Sequence, residues 1–84
     1  MLSQVKPRYT TQALERKIQG SVWLDIVVTR DGRAGAVRVQ RSLDPGGLDE
    51  EAIVAVRLWR FEPGRVGGRP VDVAVTVVMD FWIH

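Results

Sequence analysis

The 84-residue sequence contains no cysteine and a single histidine. The absence of cysteine excludes a disulfide framework, a thiol nucleophile and thiolate metal sites, and it is compatible with either a reducing or an oxidising compartment. The histidine is His84, the last residue, where a chain end is usually solvated and a positioned acid–base partner is not expected. A lone imidazole also cannot hold a metal ion. Thiol and imidazole chemistry is therefore not indicated.

Long hydrophobic runs and clusters of like charge are also missing. No apolar stretch approaches the roughly 20 residues of a membrane-spanning helix, and residues 1–5 are too short and mixed for a signal peptide. We therefore expect either a cytosolic protein or an excised domain. Twelve basic and ten acidic residues leave a formal charge of +2. Because the basic residues are spread along the chain, no nucleic-acid partner is predicted, and an RNA or single-strand binder using Trp23, Trp82 and the arginines is the disfavoured alternative.

The two sequence features that resemble catalytic or ligand-binding motifs have structural explanations. The carboxylates of Asp49, Glu50 and Glu51 precede an apolar helical stripe, where acidic residues favour the positive end of the helix dipole. The glycine-rich, basic segment 64–69 precedes a strand rather than a helix, so it lacks the helix terminus that a phosphate-binding loop needs. It is interpreted as a turn. We predict that the chain is not an enzyme and holds no metal or cofactor.

Hydrophobic periodicity predicts the order helix, strand, strand, helix, strand. A short helix begins at Thr10 or Thr11 and packs through Leu14 and Ile18 before Gly20 ends it. The remaining predicted elements are a strand from Val22 to Thr29, a primed two-residue turn at Asp31-Gly32, a returning strand with Val37 and Val39 inward, a helix from Leu48 with Trp59 on its stripe, and a strand from Val71 to Trp82. The predicted fold class is α+β, a two-layer sandwich in which a three-stranded antiparallel sheet carries both helices on one face. Residues 1–9 form an extended lead-in, and residues 10–84 form a single domain.

The last predicted strand lacks the residues that usually protect the edge of a sheet. Between Val71 and Ile83 there is no lysine, proline or glycine, and only Asp72 and Asp80 carry charge. If this strand lies at an edge, it invites pairing with an extended peptide or with a second copy of the chain. If it lies in the centre of the sheet, its apolar character is that of a core strand. Trp23 and Trp82 alternate away from the apolar face and are candidates for an exposed aromatic pair or a contact surface.

Five short segments, in order and in register, resemble those of TonB C-terminal domains over about residues 5–83. They are Trp59-Arg60-Phe61-Glu62-Pro63-Gly64, which is similar to the element that closes the family's second helix, Lys6-Pro7-Arg8-Tyr9, Ile18-Gln19-Gly20, Asp31-Gly32-Arg33 and Leu48-Asp49-Glu50-Glu51-Ala52. One departure is Thr10, where the family usually has proline.

The resemblance implies a periplasmic domain of an energy transducer, excised from a longer protein anchored in the inner membrane. Members of this family work with the proton-driven motor proteins ExbB and ExbD through an N-terminal region. Their C-terminal domain binds the TonB box, a short extended segment of TonB-dependent outer-membrane receptors, and thereby drives uptake of siderophores, and so iron, or of cobalamin. Short chains of the family also form intertwined homodimers, so that a monomer and a dimer both stay open.

The resemblance also implies which residues contact the partner. The family pairs the receptor segment with its last strand, and its lead-in lies beside the docked segment. Carried onto this sequence, the partner-binding residues are Lys6, Arg8 and Tyr9 in the lead-in, and Val73, Ala74, Val75, Thr76, Val77, Val78, Met79 and Asp80 in the strand. The alternative is a non-transducing interaction or dimerisation module that uses the same strand edge.

Overall fold

The computed structural model describes residues 2–83, so the prediction for His84 lies outside the described residues. The elements in chain order are α1 (Thr11–Glu15), β1 (Gly20–Val28), β2 (Ala34–Arg41), α2 (Leu48–Arg57), β3 (Gly64–Val66), β4 (Arg69–Val71) and β5 (Val73–Phe81). Strands β1, β2 and β5 form an antiparallel sheet in the order β2-β1-β5, and β3 pairs only with β4. The predicted α+β fold is confirmed, with a small hairpin inserted before the last strand.

The core lies between one face of the sheet and the helices. Along β1 every second residue is buried, and these residues are Val22, Leu24, Ile26 and Val28, as their alternation predicted. Helix α2 packs against β1 and β2 and buries Leu48, Ala52, Ala55 and Val56. Among residues 2–83, no helix lies on the opposite face of the sheet.

Helix α1 is shorter than its pattern suggested. The Thr10 side chain caps it by accepting a hydrogen bond from the Ala13 amide at 3.1 Å, so the residue that departs from the family pattern has a structural role. The helix ends at Glu15, and its residue Ala13 is buried in the core. Ile18 packs against the core, but the prediction that Leu14 packs was wrong, because five residues present only one narrow stripe to the sheet and Leu14 lies outside it.

Helix α2 also ends earlier than predicted. Its last turn tightens, with the Leu58 and Trp59 amides donating to carbonyls three residues earlier. The helix stops at Arg57, so Trp59 is not part of the apolar stripe of α2. It lies in the segment that follows the helix and is buried there. There its ring lies 6.0 Å from that of Phe61.

Asp49 fixes the start of α2 to the end of β2. Its carboxylate accepts hydrogen bonds from the Leu43 and Asp44 amides, each at 2.9 Å, and from the Ser42 hydroxyl. Burial of this carboxyl raises its pKa, but the three hydrogen bonds outweigh burial and hold the pKa below its usual value of 3.8. Asp49 therefore has a structural role through these hydrogen bonds, in addition to its favourable interaction with the helix dipole.

The β1–β2 turn differs from the predicted primed turn. The Gly32 amide donates to the Thr29 carbonyl at 2.8 Å, and Thr29 in turn pairs with Arg33, so that three residues form the loop. Only Gly32 adopts a positive φ, of 79°, which is typical of a type I turn closed by a glycine bulge. The turn also folds onto the segment after α2, because the Phe61 amide donates to the Gly32 carbonyl at 2.8 Å.

The predicted strand from Val71 to Trp82 is interrupted at Asp72. Before it, β3 and β4 form a hairpin whose two turn residues, Gly67 and Gly68, both have positive φ. The glycine pair is a hairpin signal, which the interpretation of this segment as a simple turn overlooked. Asp72 instead accepts from the Arg30 amide at 2.9 Å, and this bond holds the chain at the β1–β2 turn before β5 begins.

Candidate strand-pairing edge

The last strand lies at the edge of the sheet. All nine residues of β5 are in register with β1, from Val28 opposite Val73 to Gly20 opposite Phe81. Within residues 2–83 no strand pairs with the other side of β5. The edge position, which the sequence left open, is therefore decided by the topology.

Strand β2 forms the other edge, and it is better protected. Its pairing with β1 has two register shifts, and it contains Gly35 together with Arg38 and Arg41. Bulges, glycine and charged side chains all disfavour the addition of a further strand. β5 has no register shift and no basic residue, so of the two edges β5 is the one suited to pairing.

The lead-in is held beside the far end of β5. Backbone hydrogen bonds join Ser3 and Arg60 in both directions, at 3.0 and 3.2 Å, and the Trp59 indole donates to the Val5 carbonyl at 2.7 Å. Sequence reasoning missed this anchor, because no local pattern connects residue 3 with residue 60. The Pro-containing lead-in is thus tied to the segment after α2 and follows the sheet edge.

Two of the three predicted lead-in residues lie near the predicted strand residues. Lys6 lines two neighbouring depressions that also include Asp80, and Tyr9 lines one of them. The Tyr9 ring stands edge-on to that of Phe81 at 5.7 Å, and its hydroxyl donates to the Ile18 carbonyl. Tyr9 therefore positions the lead-in against the sheet.

Arg8 faces a different part of the surface. It lines a shallow polar depression formed with α1 and with Glu51 of α2. Side chains two residues apart, such as those of Lys6 and Arg8, point to the same side only in a regular strand. Here Pro7 lies between the two residues, in a segment that is not a regular strand. The structure brings Lys6 and Tyr9 to the β5 edge and does not bring Arg8 there.

The uncovered face of the sheet is organised around Asp25. This carboxylate accepts from Arg38 at 3.0 Å, Gln40 at 2.9 Å and Thr76 at 3.2 Å, and it thereby links all three strands. The hydrogen bond from Arg38 is the main reason that the pKa of Asp25 lies below its usual value; desolvation opposes this shift, and the bond from Thr76 reinforces it.

Trp23 and Trp82 do not form the exposed aromatic pair that the sequence suggested. The cross-strand partner of Trp23 is Val78, and the Arg41 guanidinium lies 5.2 Å from the centre of the Trp23 ring. Trp82 lies beyond the end of β5 and is exposed. Trp82 and Asp80 line one depression with Lys6, Pro7 and Tyr9.

No cluster of three or more His, Asp or Glu side chains suited to a metal ion occurs among residues 2–83. In the same range, no helix has the length and apolar character needed to cross a membrane. The feature that distinguishes the described surface is therefore an exposed strand edge with a lead-in beside it.

Comparison with known families agrees with this architecture. The family described as the Gram-negative bacterial TonB protein C-terminal matches residues 5–83. The chain belongs to this TonB C-terminal family. It is thus a TonB-type periplasmic domain.

Individual TonB proteins show the same relationship. The chain is 35% identical over 78 residues to protein tonB2 of Pseudomonas aeruginosa, covering 93% of this chain and 29% of that protein. It is 35% identical over 66 residues to TonB of Escherichia coli K12, covering 79% of this chain and 28% of that protein. The solution NMR structure of the Pseudomonas aeruginosa TonB C-terminal domain superposes with a TM-score of 0.80 at 34% identity, covering 98% of this chain and 83% of that one. The chain therefore spans less than a third of the length of these two full TonB proteins.

Proposed function

We propose that this domain binds an extended segment of an outer-membrane receptor, the TonB box, by adding it to the sheet as a strand beside β5. The observation that carries the proposal is the regular edge from Val73 to Asp80, which has no proline, lysine, glycine or register shift and carries a single charge, at Asp80. Family membership supports the choice of an outer-membrane receptor as partner.

Strand addition suits a domain that transmits force. The hydrogen bonds between antiparallel strands run perpendicular to the strand direction. A force along the added strand therefore loads all of these hydrogen bonds together. A force that peels one end of the strand away from the sheet would instead break the bonds one at a time. Because β5 is in register with the central strand β1 over nine residues, the load would pass directly into the core.

In the same proposal, Lys6 and Tyr9 contact the docked segment where it passes Asp80. Both line the depression at that end of β5, and the Tyr9 ring is already fixed on Phe81. Arg8 contacts the partner only through a part of the receptor that reaches the α1 side of the domain.

The remainder of the proposed function concerns a full-length protein. Anchoring in the inner membrane, coupling to ExbB and ExbD, and uptake of siderophores or cobalamin rest on the family resemblance. Backbone pairing is largely independent of side chains, so the edge is compatible with more than one receptor.

The test is an amide chemical-shift titration of the domain with a short receptor-box peptide, on a sample shown by sedimentation to be monomeric. We expect the largest shifts in residues 73–80 and around Lys6 and Tyr9. Shifts concentrated on β2, or no shifts in a folded monomer, would contradict strand addition at β5.

Two alanine-to-lysine variants provide a matched control. Ala74 on β5 and Ala36 on β2 are both exposed, and both line the same shallow depression on the uncovered face. A lysine on an edge strand disfavours pairing along that edge. Ala74→Lys should therefore weaken peptide binding, and Ala36→Lys should leave it unchanged.

A second copy of the chain is the competing occupant of the edge. The observation that favours a second copy is the same exposed backbone of β5, which would accept any strand. With a second copy bound there, the domain is an interaction or dimerisation module. A stable dimer that Ala74→Lys dissociates, with no response to receptor peptide from the resulting monomer, would support this second function over the first.

A further inference from the structure

The β3–β4 hairpin projects from the domain, and we call its residues 64–71 the arm. Residues 65–70 are all exposed, so both faces of the arm meet solvent, and Val66 is 69% exposed. The two strands contact mainly each other, and the arm touches the sheet at its base, where Gly64 lies against Val73. Because a strand of three residues spans about 10 Å, the tip of the arm lies about that far from its base.

The arm contributes little to the packing of the domain. Its conformation is specified by the turn, in which Gly67 and Gly68 have φ of 56° and 80°, and by the pairing of three residues on each side. A two-stranded hairpin without a hydrophobic face against other elements is only marginally stable in water. The composition of the arm is therefore better explained by contact with a partner outside the domain than by folding.

The tip of the arm carries two positive charges. Arg69 follows Gly68 and is paired with Val66, so the side chains of Arg69 and Val66 share one face. Arg65 is paired with Pro70 on the other face, and its guanidinium extends along the arm to 3.4 Å from the Gly68 carbonyl oxygen. Positive charge is thus present on both faces of the tip, beside an exposed valine.

No acidic residue neutralises the charge at the tip. The sequence from residue 63 to residue 71 contains no Asp or Glu. Within residues 2–83, neither arginine of the arm forms an ion pair with a carboxylate. Glu62 and Asp72 flank the arm at its base, and Asp72 is paired with Arg30. The length of the arm is about one Debye length at physiological ionic strength, so these carboxylates are largely screened from the tip.

The small size of the arm favours a planar anionic surface over a protein as its partner. A specific protein interface takes about 20–30 residues from each side, whereas the arm offers six exposed ones. An anionic bilayer needs no such area, because each arginine near its surface raises the affinity about fivefold. An apolar side chain between guanidinium groups also suits the boundary between lipid headgroups and acyl chains.

We propose that the arm binds the surface of an anionic phospholipid bilayer. The guanidinium groups of Arg65 and Arg69 lie at the lipid phosphates, and Val66 lies at the boundary between the headgroups and the acyl chains. Two arginines and one valine give a weak, reversible attachment that orients the domain with its arm toward the bilayer. The inference goes beyond the proposed function and does not depend on it, because the arm and the β5 edge are different residues.

The test is co-sedimentation of the domain with two kinds of vesicle. One consists of phosphatidylcholine alone, and the other of phosphatidylcholine mixed with an equal amount of phosphatidylglycerol. The first variant combines Arg65→Gln with Arg69→Gln. Its matched control combines Arg16→Gln with Arg57→Gln, two exposed arginines at the ends of the helices, so both variants have the same net charge.

We expect the domain to prefer the mixed vesicles by about 25-fold at low salt, and the arm variant to lose this preference, because each arginine contributes about fivefold. The control variant should keep it. Salt of about 1 M should abolish the preference, since the Debye length falls to about 3 Å. Val66→Ser should weaken binding at every salt concentration, because burial of apolar surface is not screened. In NMR spectra, the amides of residues 64–71 should broaden when mixed vesicles are added.

Three results would overturn the inference while leaving the proposed function intact. In the first, the domain binds both kinds of vesicle equally. In the second, the control variant loses as much affinity as the arm variant, which would assign the attraction to the overall charge. In the third, a glutamate-rich peptide shifts the amides of the arm and the mixed vesicles do not, which would assign the arm to an acidic protein. The arm variant should still bind receptor-box peptide at β5 with unchanged affinity, and loss of that binding would also contradict the separation of the two surfaces.

Discussion

Replacement of Gly32 by alanine tests whether the β1–β2 turn is held by the segment after α2. Gly32 has a φ of 79°, a conformation that costs an L-residue with a Cβ about 1–2 kcal/mol. A Cβ at this position would also lie 2.5 Å from the Phe61 carbonyl oxygen. Because that oxygen belongs to the backbone, the turn and the segment must move apart to relieve the contact.

The separation endangers a specific hydrogen bond. The Phe61 amide donates to the Gly32 carbonyl at 2.8 Å, and the Phe61 side chain is part of the core. Loss of this bond adds about 1 kcal/mol to the conformational cost. We therefore expect Gly32→Ala to lower the free energy of unfolding by about 2–4 kcal/mol, a large fraction of the roughly 4–12 kcal/mol typical of a domain of this size.

Gly46→Ala is the matched control. Gly46 has a φ of 77°, nearly that of Gly32, but a Cβ there would meet no atom within 4 Å. Its replacement should cost only the same conformational term of about 1–2 kcal/mol, which in both variants is partly offset by the reduced entropy of the unfolded chain. The difference between the two variants measures the contact with Phe61.

The assay is urea denaturation followed by tryptophan fluorescence, since Trp59 lies next to Phe61. Thermal unfolding should agree, with a decrease in Tm of about 4–8 °C for each kcal/mol. Equal losses of stability in Gly32→Ala and Gly46→Ala would refute the reasoning. They would mean that the close approach of turn and segment carries no energetic weight.

Four further predictions concern three residues that position the helices and the lead-in. Asp49→Ala leaves three hydrogen-bond donors without their acceptor and should lower stability by about 2–3 kcal/mol in a denaturant titration at neutral pH; a loss below 0.5 kcal/mol would argue against the network. Because the pKa of Asp49 is lowered in the folded state, the contribution of its carboxylate to stability is complete above the usual pKa of 3.8 and is lost as the pH falls through the folded pKa. The stabilities of wild type and variant should therefore converge in acid. A difference that stays constant with pH would contradict this assignment. Tyr9→Phe removes the hydrogen bond to the Ile18 carbonyl but keeps the ring and should cost about 1 kcal/mol in thermal unfolding, whereas an unchanged Tm would show that the hydroxyl contributes nothing. Trp59→Phe removes the donor to the Val5 carbonyl and should accelerate hydrogen exchange of the lead-in amides, and equal exchange rates would mean that the backbone bonds alone hold this segment.

The buried face of β1 shows how far local pattern reaches. Alternation alone identified Val22, Leu24, Ile26 and Val28 as the inward residues, because a strand reverses its side chains at every step. The same reasoning located α2 but extended its stripe to Trp59, since periodicity does not reveal where the last turn tightens and the helix stops.

The predicted binding residues divide in a similar way. The composition of residues 71–83 identified an unprotected strand, and the resemblance to the family indicated residues 73–80 and the lead-in. Neither indicated that Lys6 and Tyr9 lie at the end of β5 while Arg8 lies beside α1, because side-chain direction in a Pro-containing segment depends on what anchors its backbone.

The sequence by itself determined the order of the two helices and the three strands of the main sheet, and the family, because these depend on the spacing of apolar residues, on turn residues such as Gly32, and on short motifs kept in order. Only the tertiary structure decided that β5 lies at an edge, that β2 is the better protected edge, and that α2 leaves Val73 and Val75 uncovered. These properties arise from contacts between residues far apart in the chain. A local pattern records which face of a strand is apolar, but it does not record which strand or helix lies next to that face.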